Sequence, residues 1–95
     1  MSDARIISPS DTRLYYFGSK DVLFSIDEKE TRKKKLQNAV ILTHNEQTPV
    51  SIYIKLPSGE TLKTKSDRVD YTDDSVIIKG GFAIPVSAIL DIDAA

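Results

Sequence analysis

Residues 49–63, PVSIYIKLPSGETLK, decide the fold class predicted for this chain. From Val50 to Leu56, apolar side chains alternate with serine, tyrosine and lysine. That alternation is the period of a strand with one buried face. Residues 57–59, Pro-Ser-Gly, favour a turn, and the chain then resumes through Leu62. The stretch therefore predicts two strands joined by a tight turn.

The strand pattern continues to residue 92. Residues 60–71 are predicted to form a long, polar, bent strand, and residues 75–79 a short one. Gly80-Gly81 is typical of a tight hairpin turn, after which residues 82–84 pair back. Pro85 has no amide hydrogen and interrupts the pairing, so residues 88–92 form the closing strand. The chain from 49 to 92 is thus predicted to be all β.

A helix is predicted over residues 28–44. Asp27 followed by Glu30 resembles a capping box. Leu36, then Ala39 or Val40, then Thr43 recur at helical spacing. The segment 40–43, Val-Ile-Leu-Thr, is rich in residues that favour strands, so a strand over 36–43 with no helix is the alternative.

The N-terminal part is predicted to be a flexible lead-in followed by a β-hairpin. Residues 1–12 are polar and contain Ser-Pro-Ser-Asp at 8–11. In residues 13–26 two apolar runs flank Gly-Ser-Lys-Asp, which favours a hairpin with Val22, Phe24 and Ile26 on one face. At 95 residues, the whole chain is expected to be a single domain, 1–95.

Composition restricts the function classes. The formal net charge of -1 argues against a general nucleic-acid binder, which usually has a basic excess. The absence of cysteine excludes disulfides, a thiolate nucleophile and a cysteine-ligated zinc site. The sequence has no long apolar run and no signal-peptide pattern at its start, so the expected location is cytoplasmic, with no membrane contact.

A helix followed by five short strands resembles the Sm-like (LSm) superfamily. Residues 49–53, Pro-Val-Ser-Ile-Tyr, resemble the first strand of the Hfq family of bacterial RNA chaperones, and residues 87–89, Ser-Ala-Ile, resemble the second signature of that family. Residues 82–92 are also similar to the ending of YolD-like proteins, and WYL-type domains share the outline. The resemblance implies a mainly β fold: an Sm-like or SH3-like five-stranded bent small barrel, preceded by one helix. It also implies self-association into a ring.

The RNA site of the Hfq family is not carried over. That family has a Tyr-Lys-His triplet before its Ala-Ile, and these residues bind uridine-rich RNA. This chain has Pro-Val-Ser at 85–87 instead. The base-stacking aromatic group, the cation and the imidazole are therefore missing at the matching positions. The namesake triplet of the WYL domain is likewise not found.

The basic run Arg32-Lys33-Lys34-Lys35 is the first candidate contact surface. From a helix it could contact phosphates, each adding a salt-dependent contribution to affinity. The alternative is a solvated helix face, balanced by the acidic residues that precede it in the helix.

Aromatic residues supply the second candidate surface. Tyr15, Tyr16, Phe17 and Phe24 could stack on bases or anchor a partner, or else fill the core. Adjacent strand residues point to opposite faces, so one of Tyr15 and Tyr16 is expected to be exposed and to mark an interface. Tyr53, on the first barrel strand, is a further candidate contact for RNA or a partner.

No catalytic constellation is evident. The aspartates at 67, 70, 73 and 74 fit no calcium loop and are expected to be turn formers. His44 is explained by a position at a helix C-terminus. The prediction is a non-enzymatic interaction or regulatory protein without a cofactor, binding a protein partner through its hairpin or a strand edge. The alternatives are an RNA-binding oligomeric ring that uses the basic run, and a small-ligand-binding module.

Overall fold

The computed structural model describes residues 4–94. Within that range the chain is mainly β, with seven strands in two sheets, one α-helix and two 3-10 segments. In chain order the elements are β1 (Arg5–Ile6), a first 3-10 segment (Pro9–Leu14), α1 (Ile26–His44), β2 (Val50–Lys55), β3 (Thr61–Ser66), β4 (Val69–Tyr71), β5 (Ser75–Ile78), β6 (Ala83–Pro85), a second 3-10 segment (Val86–Ala88) and β7 (Ile89–Ala94).

The larger sheet is built around the predicted strand pair. Its strand order is β1-β3-β2-β7. β2 pairs antiparallel with β3 from Val50 opposite Ser66 to Lys55 opposite Thr61, which confirms the strand pair within 49–63. β7 pairs antiparallel with the other edge of β2, with a register shift beside Ile54. The apolar residues of β2 are buried because they face the core that the larger sheet shares with α1 and the smaller sheet.

The smaller sheet has the order β4-β5-β6. The long bent strand predicted over 60–71 is divided at residues 67–68, where the chain leaves one sheet and enters the other. Ser66 holds this bend: its Oγ donates to the Arg68 carbonyl at 2.6 Å and accepts from the amides of Arg68 at 3.2 Å and Lys79 at 3.1 Å. β6 ends at Pro85, as its missing amide hydrogen requires.

No closed barrel is found in residues 4–94, because the strands lie in two separately hydrogen-bonded sheets. The mainly β fold with one helix is confirmed, while the five-stranded small barrel stays a prediction. One apolar core nevertheless joins both sheets and the helix. It includes Leu36 and Ala39 of α1, Ile52 of β2, Val76 of β5 and Ile89 of β7.

The predicted helix over 28–44 is confirmed, but it begins two residues earlier, at Ile26. The capping box is formed by Ser25 and Glu28 rather than by Asp27 and Glu30. The Ser25 Oγ accepts from the Glu28 amide at 3.1 Å, and the Ser25 amide donates to the Glu28 carboxylate at 3.3 Å.

Packing decides against the alternative strand over 36–43. Leu36, Ala39 and Thr43 are buried at helical spacing, whereas Ile41 is 49% exposed. The Thr43 hydroxyl also donates to the Ala39 carbonyl at 2.9 Å and accepts from the Val69 amide at 3.2 Å. These contacts tie the β-branched end of the helix to the smaller sheet and override its strand propensity.

The predicted hairpin over 13–26 is wrong. Residues 9–14 form a 3-10 segment and residues 15–25 contain no strand. Within the apolar runs, Tyr15 and Phe17 pack against the core and Leu23 is buried, whereas Tyr16 and Phe24 are exposed. The lead-in prediction for 1–12 also needs correction where it can be assessed, because β1 pairs parallel with β3 through Arg5 and Ile6. Residues 1–3 lie outside the described range.

Thr64 places a hydroxyl group in the buried interior of the larger sheet. Its hydroxyl is buried and has no hydrogen-bond partner among the described residues. Thr64→Val is expected to raise the free energy of unfolding by about 1 kcal/mol, because an unpaired buried hydroxyl costs free energy. Urea unfolding measures it. Thr12→Val is the matched control, since the Thr12 hydroxyl donates to the Pro9 carbonyl at 2.7 Å and its removal should destabilise. Equal effects at both positions would contradict the prediction.

Candidate partner-binding groove

An apolar groove lies between the segment 15–25 and the turn that follows β2. It has a volume of about 420 Å³ and is called the aromatic groove below. One wall comes from the segment before α1 and the other from the β2–β3 turn. The lining residues are Tyr16, Phe17, Gly18, Ser19, Lys20, Asp21, Val22, Phe24, Lys55, Leu56 and Pro57.

The wall formed by 15–25 is ordered by contacts with the rest of the protein, although it has no regular secondary structure. Tyr15 and Phe17 pack against the core, and Leu23 is buried. The Val22 amide donates to the carbonyl of Ser87 at 2.9 Å. This wall therefore has a defined position before any partner binds.

Asp21 and Arg32 form an ion pair that holds this wall in place. The Arg32 guanidinium donates to both Asp21 carboxylate oxygens, at 2.8 and 2.7 Å, and to the Ile89 carbonyl at 3.1 Å. Asp21 also accepts from the Leu23 amide at 2.9 Å. The hydrogen bond from Arg32 lowers the pKa of Asp21 below its ordinary value, against an opposing effect of burial. Helix α1, β7 and the groove wall are thereby joined at one ion pair.

Gly18 lets the two walls approach each other. Its φ of +77° lies in the left-handed region, and a Cβ there would come within 2.9 Å of the Pro57 Cγ. Only glycine combines that backbone conformation with that contact. The Gly-Ser-Lys-Asp segment, which resembles a hairpin turn in sequence, therefore forms a loop that packs against the β2–β3 turn.

Two large side chains of this ordered wall remain in solvent. Tyr16 is 78% exposed and Phe24 is 89% exposed, whereas Tyr15 packs against the core. The expected division between the adjacent tyrosines is thus observed, although the cause is a loop and not a strand. Exposed aromatic residues beside an apolar groove are the typical anchors of protein interfaces.

The two tyrosines are expected to differ in their effect on stability. Tyr15→Ala should lower the free energy of unfolding by about 2 kcal/mol, because it removes an aromatic ring packed on the core. Tyr16→Ala should change the free energy by less than about 0.5 kcal/mol, because little of that ring is buried. Chemical unfolding of both variants tests this. A large loss at Tyr16 would show that its ring stabilises the fold and would remove it from the interface.

The structure divides the basic run predicted as one contact surface. Arg32 is only 7% exposed and is held by Asp21, so it does not face a ligand. Lys35 pairs with Asp91 at 2.6 Å and Asp93 at 3.7 Å, and the hydrogen bond with Asp91 raises the pKa of Lys35. Only Lys33 and Lys34 are left exposed. Four consecutive residues spread around a helix with 3.6 residues per turn, which explains the separation.

Tyr53 lies on the outer face of the larger sheet. It is half-buried, opposite Lys63 on β3 and Asp91 on β7. The Lys63 ammonium is 5.5 Å from the centre of the Tyr53 ring, within reach of a cation–π contact. Lys55 and Lys65 lie on the same face by the two-residue period of the strands. This set is called the Tyr53 face below.

The three lysines of the Tyr53 face and the groove residues Leu56 and Pro57 were not among the candidate contacts predicted from the sequence. The lysines stand at alternate positions of the strand pair, so the period that predicted the strands could also have placed them beside Tyr53. No signal in the sequence could have brought the β2–β3 turn to the segment 15–25.

His44 and two of the four aspartates in residues 67–74, Asp67 and Asp70, have structural partners. The His44 Nε2 lies 3.1 Å from the Val69 carbonyl and 3.1 Å from the Asp70 carboxylate, at the end of α1. Asp67 is 3.7 Å from Lys79. In residues 4–94 no three histidine or acidic side chains are grouped as a metal ion would require. No helix in that range is long and apolar enough to cross a membrane.

Comparisons with models of protein families, with curated proteins and with solved structures each gave no match to this chain.

Proposed function

We propose that this protein is a non-enzymatic interaction protein that binds a segment of a partner protein in the aromatic groove. The observation that carries the proposal is the exposure of Tyr16 and Phe24 on a wall that is otherwise held firmly in place. Single exposed apolar residues are common on protein surfaces, but two aromatic ones bordering an apolar groove are not. The cytoplasm is the compartment proposed for this interaction.

The fixed wall favours affinity. Full burial of a phenylalanine side chain contributes about 1.5–3 kcal/mol, so Phe24 and Tyr16 together offer a useful part of a micromolar interaction. Ordering a flexible loop on binding would subtract from that sum. The Asp21–Arg32 pair and the Val22–Ser87 hydrogen bond already supply the order. The groove suits an extended peptide better than a small molecule, because its two aromatic side chains Tyr16 and Phe24 stand in solvent rather than around an enclosed cavity.

Selection of random peptides displayed on phage, with the purified protein as bait, tests the proposal. Enriched peptides should share an apolar anchor, and their affinity should fall about tenfold or more with Phe24→Gln or Tyr16→Gln. Ile41→Gln is the matched control: it removes an exposed apolar side chain from α1, outside the groove, and should leave affinity unchanged. Peptides that bind the Phe24→Gln variant as well as the unchanged protein would rule out the groove.

We also infer that the two sheets form an Sm-like small barrel that associates with further copies. The short connection from β3 to β4 and the shared core support it, as does the resemblance of residues 49–53 and 87–89 to the Hfq family. Light scattering of the purified protein gives the test. A mass of about five to seven chains supports a ring, whereas a monomer or dimer restricts the resemblance to the single subunit.

A second candidate function is the binding of single-stranded nucleic acid on the Tyr53 face. Lys55, Lys63 and Lys65 have no carboxylate within ion-pair distance among the described residues. Three such lysines, on the same sheet face as one aromatic ring, provide the cations and the stacking surface that single-stranded nucleic acids require. This surface replaces the basic run of α1 as the preferred candidate for RNA.

Fluorescence anisotropy with a labelled oligouridine of about 16 nucleotides separates the two surfaces. Lys63→Ala/Lys65→Ala should weaken binding and flatten its salt dependence. Lys33→Ala/Lys34→Ala removes the same charge from exposed positions of α1 and should have the smaller effect. Equal losses would indicate unspecific attraction by net charge, and no binding at low salt would remove this candidate.

A further inference from the structure

The charges of the aromatic groove point to the chemistry of its partner. We infer that the groove takes an acidic peptide segment, in which a carboxylate adjoins the apolar anchor. This inference rests on the proposed function and adds to it the class of sequence that is recognised.

Two lysines give the groove its charge. Lys20 lines it from the segment 15–25 and Lys55 from the end of β2. Neither has a carboxylate within ion-pair distance in the part of the chain that the structure describes. Both ammonium groups are therefore available to a ligand.

Asp21 is the one acidic residue among the groove-lining residues, and it does not cancel this charge. Both of its carboxylate oxygens accept hydrogen bonds from Arg32, at 2.8 and 2.7 Å. The Leu23 amide donates a further bond to it at 2.9 Å. Asp21 is thus neutralised within the protein, and the groove presents two unmatched positive charges beside an apolar surface.

The arrangement selects against other segments. A basic segment would bring like charges together, which costs affinity and speed of association. A neutral apolar segment would gain only the contacts with the apolar part of the groove, with Phe24, Leu56 and Pro57. An acidic segment gains those contacts and also pairs with Lys20 and Lys55.

The preference for acidic peptides is tested by reversing the charges of Lys20 and Lys55. The same random phage-displayed library is selected on the unchanged protein and on Lys20→Glu/Lys55→Glu. We expect acidic residues next to an apolar anchor in the first selection, and basic residues next to the same type of anchor in the second. One enriched acidic peptide, synthesised with a fluorescent label, should bind the unchanged protein about tenfold or more tightly than the charge-reversed one. The difference should shrink between about 0.05 M and 0.5 M salt, because salt screens exposed charges.

Two further variants complete the design. Lys33→Glu/Lys34→Glu makes the same charge change on α1 and should bind the acidic peptide like the unchanged protein. Lys20→Gln/Lys55→Gln only removes the charges and should lie between the extremes, which keeps the test valid if the reversal disturbs folding.

The possible results distinguish docking in the groove from the preference of the groove for acidic peptides. Apolar anchors without any acidic preference, equally bound by the charge-reversed variant, would overturn the inference and leave the groove as a docking site. Peptides unaffected by Phe24→Gln would overturn the groove itself. An equal loss with the α1 control would assign the effect to net charge and also overturn the inference.

Discussion

Replacement of Arg32 by alanine is expected to lower the free energy of unfolding by about 3–5 kcal/mol. The guanidinium is buried and satisfies both Asp21 oxygens and the Ile89 carbonyl. Its removal takes the opposite charge and two hydrogen bonds from the partly buried Asp21 carboxylate, which keeps the Leu23 amide as a donor, and one donor from the buried Ile89 carbonyl. For a domain of this size that is a large share of the total stability. Urea unfolding followed by circular dichroism measures the loss.

Lys33→Ala is the matched control, one residue away and exposed, with an expected change within about 0.5 kcal/mol. Hydrogen exchange provides a second readout. In Arg32→Ala the amides of Val22 and Leu23 should exchange faster, because Asp21 no longer anchors the groove wall. A loss of less than about 1 kcal/mol would show that the ion pair does not hold this wall.

The same pair predicts a dependence of stability on pH. The pKa of Asp21 is lowered by Arg32 from its ordinary value of 3.8. A carboxyl group with a lowered folded-state pKa contributes stability above its unfolded pKa, and the contribution is lost as pH falls through the folded one. The advantage of the unchanged protein over Asp21→Asn should therefore be full above about pH 5 and should shrink below about pH 4. Urea midpoints across this range test it, and a constant advantage would contradict it.

Replacement of Ser66 by alanine is the second large effect, with an expected loss of about 2–3 kcal/mol. The Ser66 hydroxyl makes three hydrogen bonds with the backbone of Arg68 and Lys79, where the chain leaves β3 for β4. Alanine cannot replace any of them, so the bend loses the contacts that fix its direction. The free energy of unfolding, measured in urea, is the readout.

Ser58→Ala is the control for this substitution. Ser58 accepts one hydrogen bond, from the Glu60 amide at 3.3 Å, in the exposed β2–β3 turn. Its loss should cost less than about 0.5 kcal/mol. Comparable effects at Ser58 and Ser66 would show that the bend does not depend on the buried hydroxyl.

The strand pair and the helix could be predicted because their signals are local. Alternation over 50–56 requires only that successive strand residues face opposite sides. The spacing of Leu36, Ala39 and Thr43 requires only the pitch of an α-helix. The tertiary structure then decided between helix and strand for 36–43, because the helix buries these three side chains together and places the Thr43 hydroxyl at the Val69 amide.

The wall of the aromatic groove formed by residues 15–25 could not be predicted from the sequence. Two apolar runs around Gly-Ser-Lys-Asp are a valid hairpin signal, but a hairpin was not formed here. Tyr15 and Phe17 of the first run pack against the core instead, and Asp21 of the intervening segment pairs with Arg32.

The sequence by itself thus determined the strands around residues 49–63 and indicated the helix, whereas it placed the two adjacent tyrosines on a hairpin that is not formed. Only the tertiary structure decided that the Arg32 side chain is buried in an ion pair with Asp21 and that Tyr16 and Phe24 line a groove together with the β2–β3 turn. It also decided that three lysines, without ion-pair partners in residues 4–94, lie on the same sheet face as Tyr53, on β2 and β3. The physical reason is the range of the interactions. Backbone geometry repeats over two to four residues, whereas the Arg32–Ile89 hydrogen bond joins residues 57 positions apart.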